Sequence, residues 1–117
     1  MTGDDEDRAD VLFHALADRT RRDIVRRVLA GEHSISALAA NYDMSFAAVQ
    51  KHIAVLERAG LITKRRQGRT ALASGDVDAV RSVSGMLLEL EGIWRGRITR
   101  IDELLAADPG QADLPEG

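Results

Sequence analysis

The residues best suited to chemistry lie between 45 and 70. Ser45-Phe46-Ala47-Ala48-Val49-Gln50-Lys51-His52-Ile53 opens a stretch with one apolar face, and Lys64-Arg65-Arg66-Gln67-Gly68-Arg69 closes it with a basic turn. This set has no acid–base pair facing across a cleft. It does have amide and ammonium donors on a small-residue helix face, followed by guanidinium groups on a hairpin. That combination suits a nucleic-acid duplex: a helix fits the major groove, and cations beside it meet the phosphate backbone. Gln50 and Lys51 are expected to read base edges, with His52 on the flank. Ser45 should cap the helix and donate to phosphate. Ala47 and Ala48 can meet thymine methyls. Phe46 shares a face with Val49, Ile53 and Leu56 and should mainly hold the helix on the core. Lys64, Arg65, Arg66, Gln67 and Arg69 form the expected clamp on the flanking backbone or minor groove.

Net charge is −3, which argues against a polyanionic partner until its distribution is considered. Residues 1–8 and 108–117 are acidic, whereas residues 45–70 carry six Lys and Arg against one Glu. Screening over about 10 Å makes the local excess decisive.

Other chemistries find little support. Cysteine is absent, so there is neither a disulfide framework nor a thiolate metal site. His14, His33 and His52 lack ligand spacing. No glycine-rich phosphate loop or nucleophile motif occurs, and an enzyme is not expected. No apolar run approaches a membrane span, and the acidic N-terminus is unlike a secretory signal. These features point to a cytoplasmic protein with no cofactor.

Helices and turns must position the basic segment. The pattern predicts an acidic disordered tail over 1–8, one domain over 9–107 and a flexible tail over 108–117. Val11, Leu12, Ala15 and Leu16 fit a short amphipathic helix. Asp18 should cap a helix over 19–30 that stops at Gly31. His33-Ser34-Ile35 fits a brief strand, residues 36–40 a short helix, and Asn41-Tyr42-Asp43 a turn in which Asn and Asp tolerate left-handed angles. A helix from Ser45 to Ala59 ends at Gly60. Leu61-Ile62-Thr63 starts a strand, Gln67-Gly68 supplies the turn, and Thr70–Ala73 returns. From 76 to 107 the chain is helical, with Val83, Leu87, Leu90, Trp94, Ile98, Ile101 and Leu105 spaced close to a coiled-coil seam. So long an apolar stripe predicts a partner surface, most simply a second copy of the chain. Gly85, Gly92 and Gly96 in this helix suggest close packing or a bend.

The order helix, helix, short helix, turn, helix, basic hairpin, long helix is that of a mainly α winged helix-turn-helix. On Ala15-Leu16-Ala17-Asp18-Arg19-Thr20-Arg21-Arg22-Asp23-Ile24, Leu38-Ala39 through Met44-Ser45, Val49-Gln50-Lys51-His52-Ile53 and Leu56-Glu57-Arg58-Ala59-Gly60-Leu61-Ile62, the chain resembles the ArsR (SmtB/ArsR) family of bacterial repressors over residues 9–106. Within that family it most resembles the metal-independent, SdpR-like branch. The resemblance implies a homodimer built from the first helix, with Leu12, and the last, with Leu87 through Leu105. It also implies binding to a palindromic operator and repression. The family's metal routes are not matched: Ile35–Ala40 lacks soft ligands, and no His follows Asp76-Val77-Asp78. Gln50 stands where Ser is common and implies a different base preference. Competing readings are a protein-interaction module built on the same scaffold and a small-molecule-responsive sensor of unknown inducer.

Overall fold

The computed structural model describes residues 3–107, with side chains for residues 6–106. The elements run α1 (Gly3–Leu16), α2 (Arg19–Ala30), β1 (His33–Ser34), α3 (Ile35–Ala39), α4 (Phe46–Arg58), β2 (Ile62–Gln67), β3 (Thr70–Gly75) and α5 (Val77–Ala107). They form two compact units that divide between Val83 and Ser84. The expected tail over 108–117 lies outside the described residues.

Each start and stop in the first unit has a local cause. Asp18 caps α2 by accepting from the Arg21 backbone N–H at 3.0 Å, and Ser34 caps α3 by accepting from Ala37 N–H at 3.0 Å. Ser45 caps α4 through Ala48 N–H at 3.1 Å. Such caps satisfy donors that the first helical turn cannot. Beyond α4, Gly60 takes φ +81°, while its N–H donates to Glu57 O and that of Leu61 to Leu56 O. This paired closure needs a left-handed residue, and it lays Leu61 against Leu56, both buried. Asp76 recaps the chain for α5, its carboxylate accepting from Asp78 N–H at 2.9 Å.

The core gathers one face of each element: Leu12 and Ala15 from α1, Ile24, Val25 and Val28 from α2, Leu38 from α3, and Val49, Ile53 and Leu56 from α4. Ile35, Ala59, Leu61, Ile62, Ala73 and Ala79 complete it. The sheet is antiparallel in the order β1-β3-β2, with β3 central. β3 passes so close to α2 that a Cβ on Gly75 would fall 2.6 Å from a Leu29 methyl and 3.0 Å from Leu29 Cα.

Several expectations are corrected. α1 begins at Gly3, so the acidic segment from residue 3 to 8 is helical; acids at a helix N-terminus are favoured by its dipole. Leu12 is 2% exposed, within the core of its own subunit, and Val11 and Phe13 are the exposed apolar residues of α1. Phe46 is 47% exposed instead of packing inward. Helical side chains lean toward the N-terminus, so the first residue of α4 projects past the wall that holds Val49 and Ile53. The 41–44 turn contains no left-handed residue. Asn41 acts through its side chain, which donates to Ala37 O and Leu38 O and closes the end of α3. In the hairpin Gln67 pairs with Thr70, leaving Gly68 and Arg69 as the turn. Gly68 at φ +64° fits a two-residue II′ connection.

The second unit is the remaining length of α5. Leu87, Leu90, Trp94, Ile98, Ile101 and Leu105 are all exposed, from 39% at Ile98 to 71% at Leu105. Leu88, Ile93 and Leu104 are exposed as well. A Cβ on Gly85 or Gly92 would meet no atom within 4 Å.

Candidate nucleic-acid interface

α4 offers one face to the core and the other to solvent. Val49, Ile53 and Leu56 are buried; Ser45, Phe46, Ala47, Gln50 and Lys51 are exposed; Ala48 and His52 are half-buried. The alternation 46–47, 50–51 on an outer face is what a 3.6-residue repeat gives when 49, 53 and 56 point inward. The wing beside it is exposed from Thr63 through Thr70.

Strand pleating sorts the wing cations onto two faces. Alternate residues of β2 share a face, so Lys64 and Arg66 lie on the side of buried Ile62, while Thr63, Arg65 and Gln67 lie on the other. Lys64 and Arg66 accordingly line a cleft of about 380 Å³, together with Phe46, Gln50 and Ile53 of α4 and Arg69 of the turn. The cleft thus joins the outer edge of α4 to the inner face of the wing. Among the sequence-predicted residues it unites Phe46, Gln50, Lys64, Arg66 and Arg69; Ser45, Ala47, Ala48, Lys51, His52, Arg65 and Gln67 do not line it.

Ion pairs further divide the cations. Lys64 reaches Glu57 at 3.3 Å. Arg65 makes two hydrogen bonds to Glu32, at 2.9 and 2.8 Å, and this partner raises the pKa of its guanidinium. Among the described residues, Arg66 and Arg69 have no carboxylate within 4.0 Å.

His52 is tied inward. Its Nδ1 lies 3.3 Å from an Arg21 guanidinium nitrogen and 3.9 Å from an Asp18 carboxylate oxygen. Arg21 in turn donates to Ala15 O at 2.7 Å and His14 O at 3.0 Å, closing the C-terminus of α1. Arg22 donates to Leu16 O at 2.8 Å. The segment Asp18–Arg22 therefore caps two helices at once: its carboxylate starts α2 and its guanidiniums finish α1. The Arg21 backbone N–H holds the Asp18 carboxyl below the usual carboxylate range.

A second network fixes the turn before α4. The Tyr42 hydroxyl donates to Asp23 at 2.7 Å, Arg27 donates to the same oxygen at 2.9 Å, and the Arg27 guanidinium lies 5.9 Å from the Tyr42 ring centre. These two hydrogen bonds, Arg27 first, lower the Asp23 pKa. Burial, then the Asp23 contact, pushes the Tyr42 phenol up to about 12.

The sequence pattern did not single out Glu32, and it placed Tyr42 only as part of a turn. Glu32 needs the sheet register to be found, since it lies outside the basic segment. Among the described residues no group of three His, Cys, Asp or Glu could hold a metal ion, and no helix is long and apolar enough to cross a membrane.

A helix-turn-helix followed by a three-stranded antiparallel wing, with donors on the second helix and cations on the wing, defines a winged helix-turn-helix DNA-binding protein. A helix-turn-helix domain family matches residues 16–65. The crystal structure of the ArsR family transcriptional regulator RHA00566 superposes with a TM-score of 0.73 at 32% identity, covering 77% of this chain and 93% of that one. The HTH-type transcriptional regulator Rv2034 of Mycobacterium tuberculosis is 29% identical over 99 residues, 85% of this chain and 90% of the relative. The transcriptional activator HlyU of Vibrio cholerae is 33% identical over 76 residues, 62% of this chain and 70% of the relative. A solved HlyU structure superposes with a TM-score of 0.60 at 26% identity, over 80% of this chain and 98% of that one. The chain belongs to the ArsR family and is a DNA-binding transcriptional regulator.

Proposed function

We propose that two copies of this chain bind an inverted-repeat operator and repress transcription by covering the promoter. The observation that carries the reading is the cleft where Gln50 of α4 meets Arg66 and Arg69 of the wing, neither arginine having an acid partner among the described residues. Gln50 and Lys51 read base edges in the major groove, and Gln50 is suited to adenine N6 and N7. Arg66 and Arg69 meet the adjoining phosphates. Phe46, exposed at the start of α4, joins Ala47 and Ala48 in apolar contact with thymine methyls. Ser45 donates to phosphate. His52 acts from behind, through Arg21 and Asp18, and holds α4 on the body.

Pairing rests on the α5 stripe Leu87, Leu90, Trp94, Ile98, Ile101 and Leu105. Exposed apolar surface of this extent favours burial against a symmetric copy. A two-fold pair presents two recognition helices, so half-site centres should lie about 10 bp apart or a multiple of that. Placement in the metal-independent, SdpR-like branch is supported by residue types alone: cysteine is absent, and no His follows Asp78. A cytoplasmic site of action accords with this role.

The test has two arms. Gln50→Ala should lose about 1–3 kcal/mol of discrimination at one position in each half-site while keeping nonspecific affinity; an unchanged base profile removes Gln50 from readout. Added protein should lower transcription in vitro from a promoter that contains the selected operator. A rise would make the chain an activator, as HlyU is named.

A further inference from the structure

We propose that Glu32 is a built-in counterion that withholds Arg65 from the duplex, leaving Arg66 and Arg69 as the wing's phosphate contacts. The inference rests on the DNA-binding reading above and assigns a partner to one of its cations.

Register carries the argument. Arg65 of β2 pairs with Leu72 of β3, and Leu72 pairs with Ser34 of β1, so the three form one row across the sheet. Side chains in such a row share a face. Glu32 precedes Ser34 by two positions, just before β1 begins. Arg65 therefore reaches over the central strand and grips Glu32 from the far edge with Nε and one terminal nitrogen, at 2.9 and 2.8 Å. Two parallel bonds to one carboxylate form the strongest geometry available to a guanidinium. The pair staples both edges of the sheet across β3 and cancels the charge of Arg65. Arg66, one residue on, points to the opposite face, into the cleft beside Gln50.

A neutralised cation adds little to phosphate binding, because the gain comes from displacing condensed counterions. The wing thus has four cations in sequence but fewer effective charges toward DNA. Lys64, held by Glu57, is a weaker case, since an ammonium keeps donors free for a second partner. The consequence is selectivity: a wing with Arg65 released would grip any duplex more tightly without reading more sequence.

The test is the salt dependence of binding to a short random-sequence duplex, measured by anisotropy with the full-length chain. Arg66→Ala and Arg69→Ala should each reduce the slope of log K against log salt by about 0.9. Arg65→Ala should leave the slope unchanged. Glu32→Gln, which keeps shape but removes the charge, should steepen the slope by about 0.9 and tighten nonspecific binding about eightfold at 0.1 M salt. Glu32→Gln combined with Arg65→Ala should restore the wild-type slope, which a merely loosened wing would not do. The proposal is overturned if Arg65→Ala flattens the slope as much as Arg66→Ala, or if Glu32→Gln leaves it unchanged. Failure of the wild-type chain to show salt-sensitive duplex binding would instead overturn the DNA-binding reading itself.

Discussion

Replacing Arg21 by alanine should destabilise the fold without changing how many phosphates the protein holds. The guanidinium of Arg21 reaches Ala15 O, His14 O and the His52 ring at 2.7, 3.0 and 3.3 Å. A charged donor contributes about 1.5–3 kcal/mol per hydrogen bond. The side chain is only partly buried, so the low end applies. The two carbonyl contacts then give a loss of about 3 kcal/mol, with no contribution counted for the longer ring contact. For a domain of this size that lowers the melting temperature by about 12–24 °C. Thermal denaturation followed by far-ultraviolet circular dichroism reads the effect directly. Arg21→Lys should recover less than half of the loss, because one ammonium cannot occupy both carbonyl positions of the planar fork. A melting temperature unchanged in Arg21→Ala would refute the capping role. If the salt slope of DNA binding also flattened by about one, Arg21 would be a phosphate contact instead.

Two further substitutions probe how the body is held together. Gly75→Ala should cost about 1–3 kcal/mol in chemical denaturation, since its Cβ would meet Leu29 at 2.6 Å and the backbone of α2 at 3.0 Å; a neutral effect would mean that β3 and α2 separate freely. The raised Tyr42 phenol pKa means that the folded chain holds this proton more tightly than the unfolded one, whose value is 10.0. The associated stability is therefore complete below pH 10 and is lost as pH rises toward about 12. Tyr42→Phe should flatten that alkaline decline, and a decline of equal steepness in the variant would assign it to other groups.

What the sequence disclosed follows from which forces are local. Caps and stops are short-range, so Asp18, Ser45 and Gly60 could be read from residue type and neighbours. Helical periodicity placed Val49, Ile53 and Leu56 correctly because α2, α3 and β2 pack against α4. The same periodicity failed at Phe46, where the helix extends past its wall; at Leu12 the apolar face was read correctly, but the resemblance assigned to a partner a side chain that the chain's own core covers. Periodicity reports that a face is apolar; it does not report what covers it. The acids that answer the basic wing were hidden for a related reason. Glu57 and Lys64 lie on different elements, and Glu32 meets Arg65 only through a sheet register that joins β1 to β3 and β3 to β2. Counting charge over residues 45–70 therefore includes Arg65 in full, although Glu32, outside that segment, holds its guanidinium. Tyr42, read as part of a turn, is the link between that turn and α2.

The central claim, that paired subunits fit two recognition helices into one face of a duplex, is tested most directly by selecting bound fragments from a random DNA pool and footprinting the winners. The account predicts an inverted repeat with half-site centres about one helical turn, or a multiple of it, apart, protected on a single face. Enrichment of a lone half-site, or no enrichment at all in low salt, would contradict it.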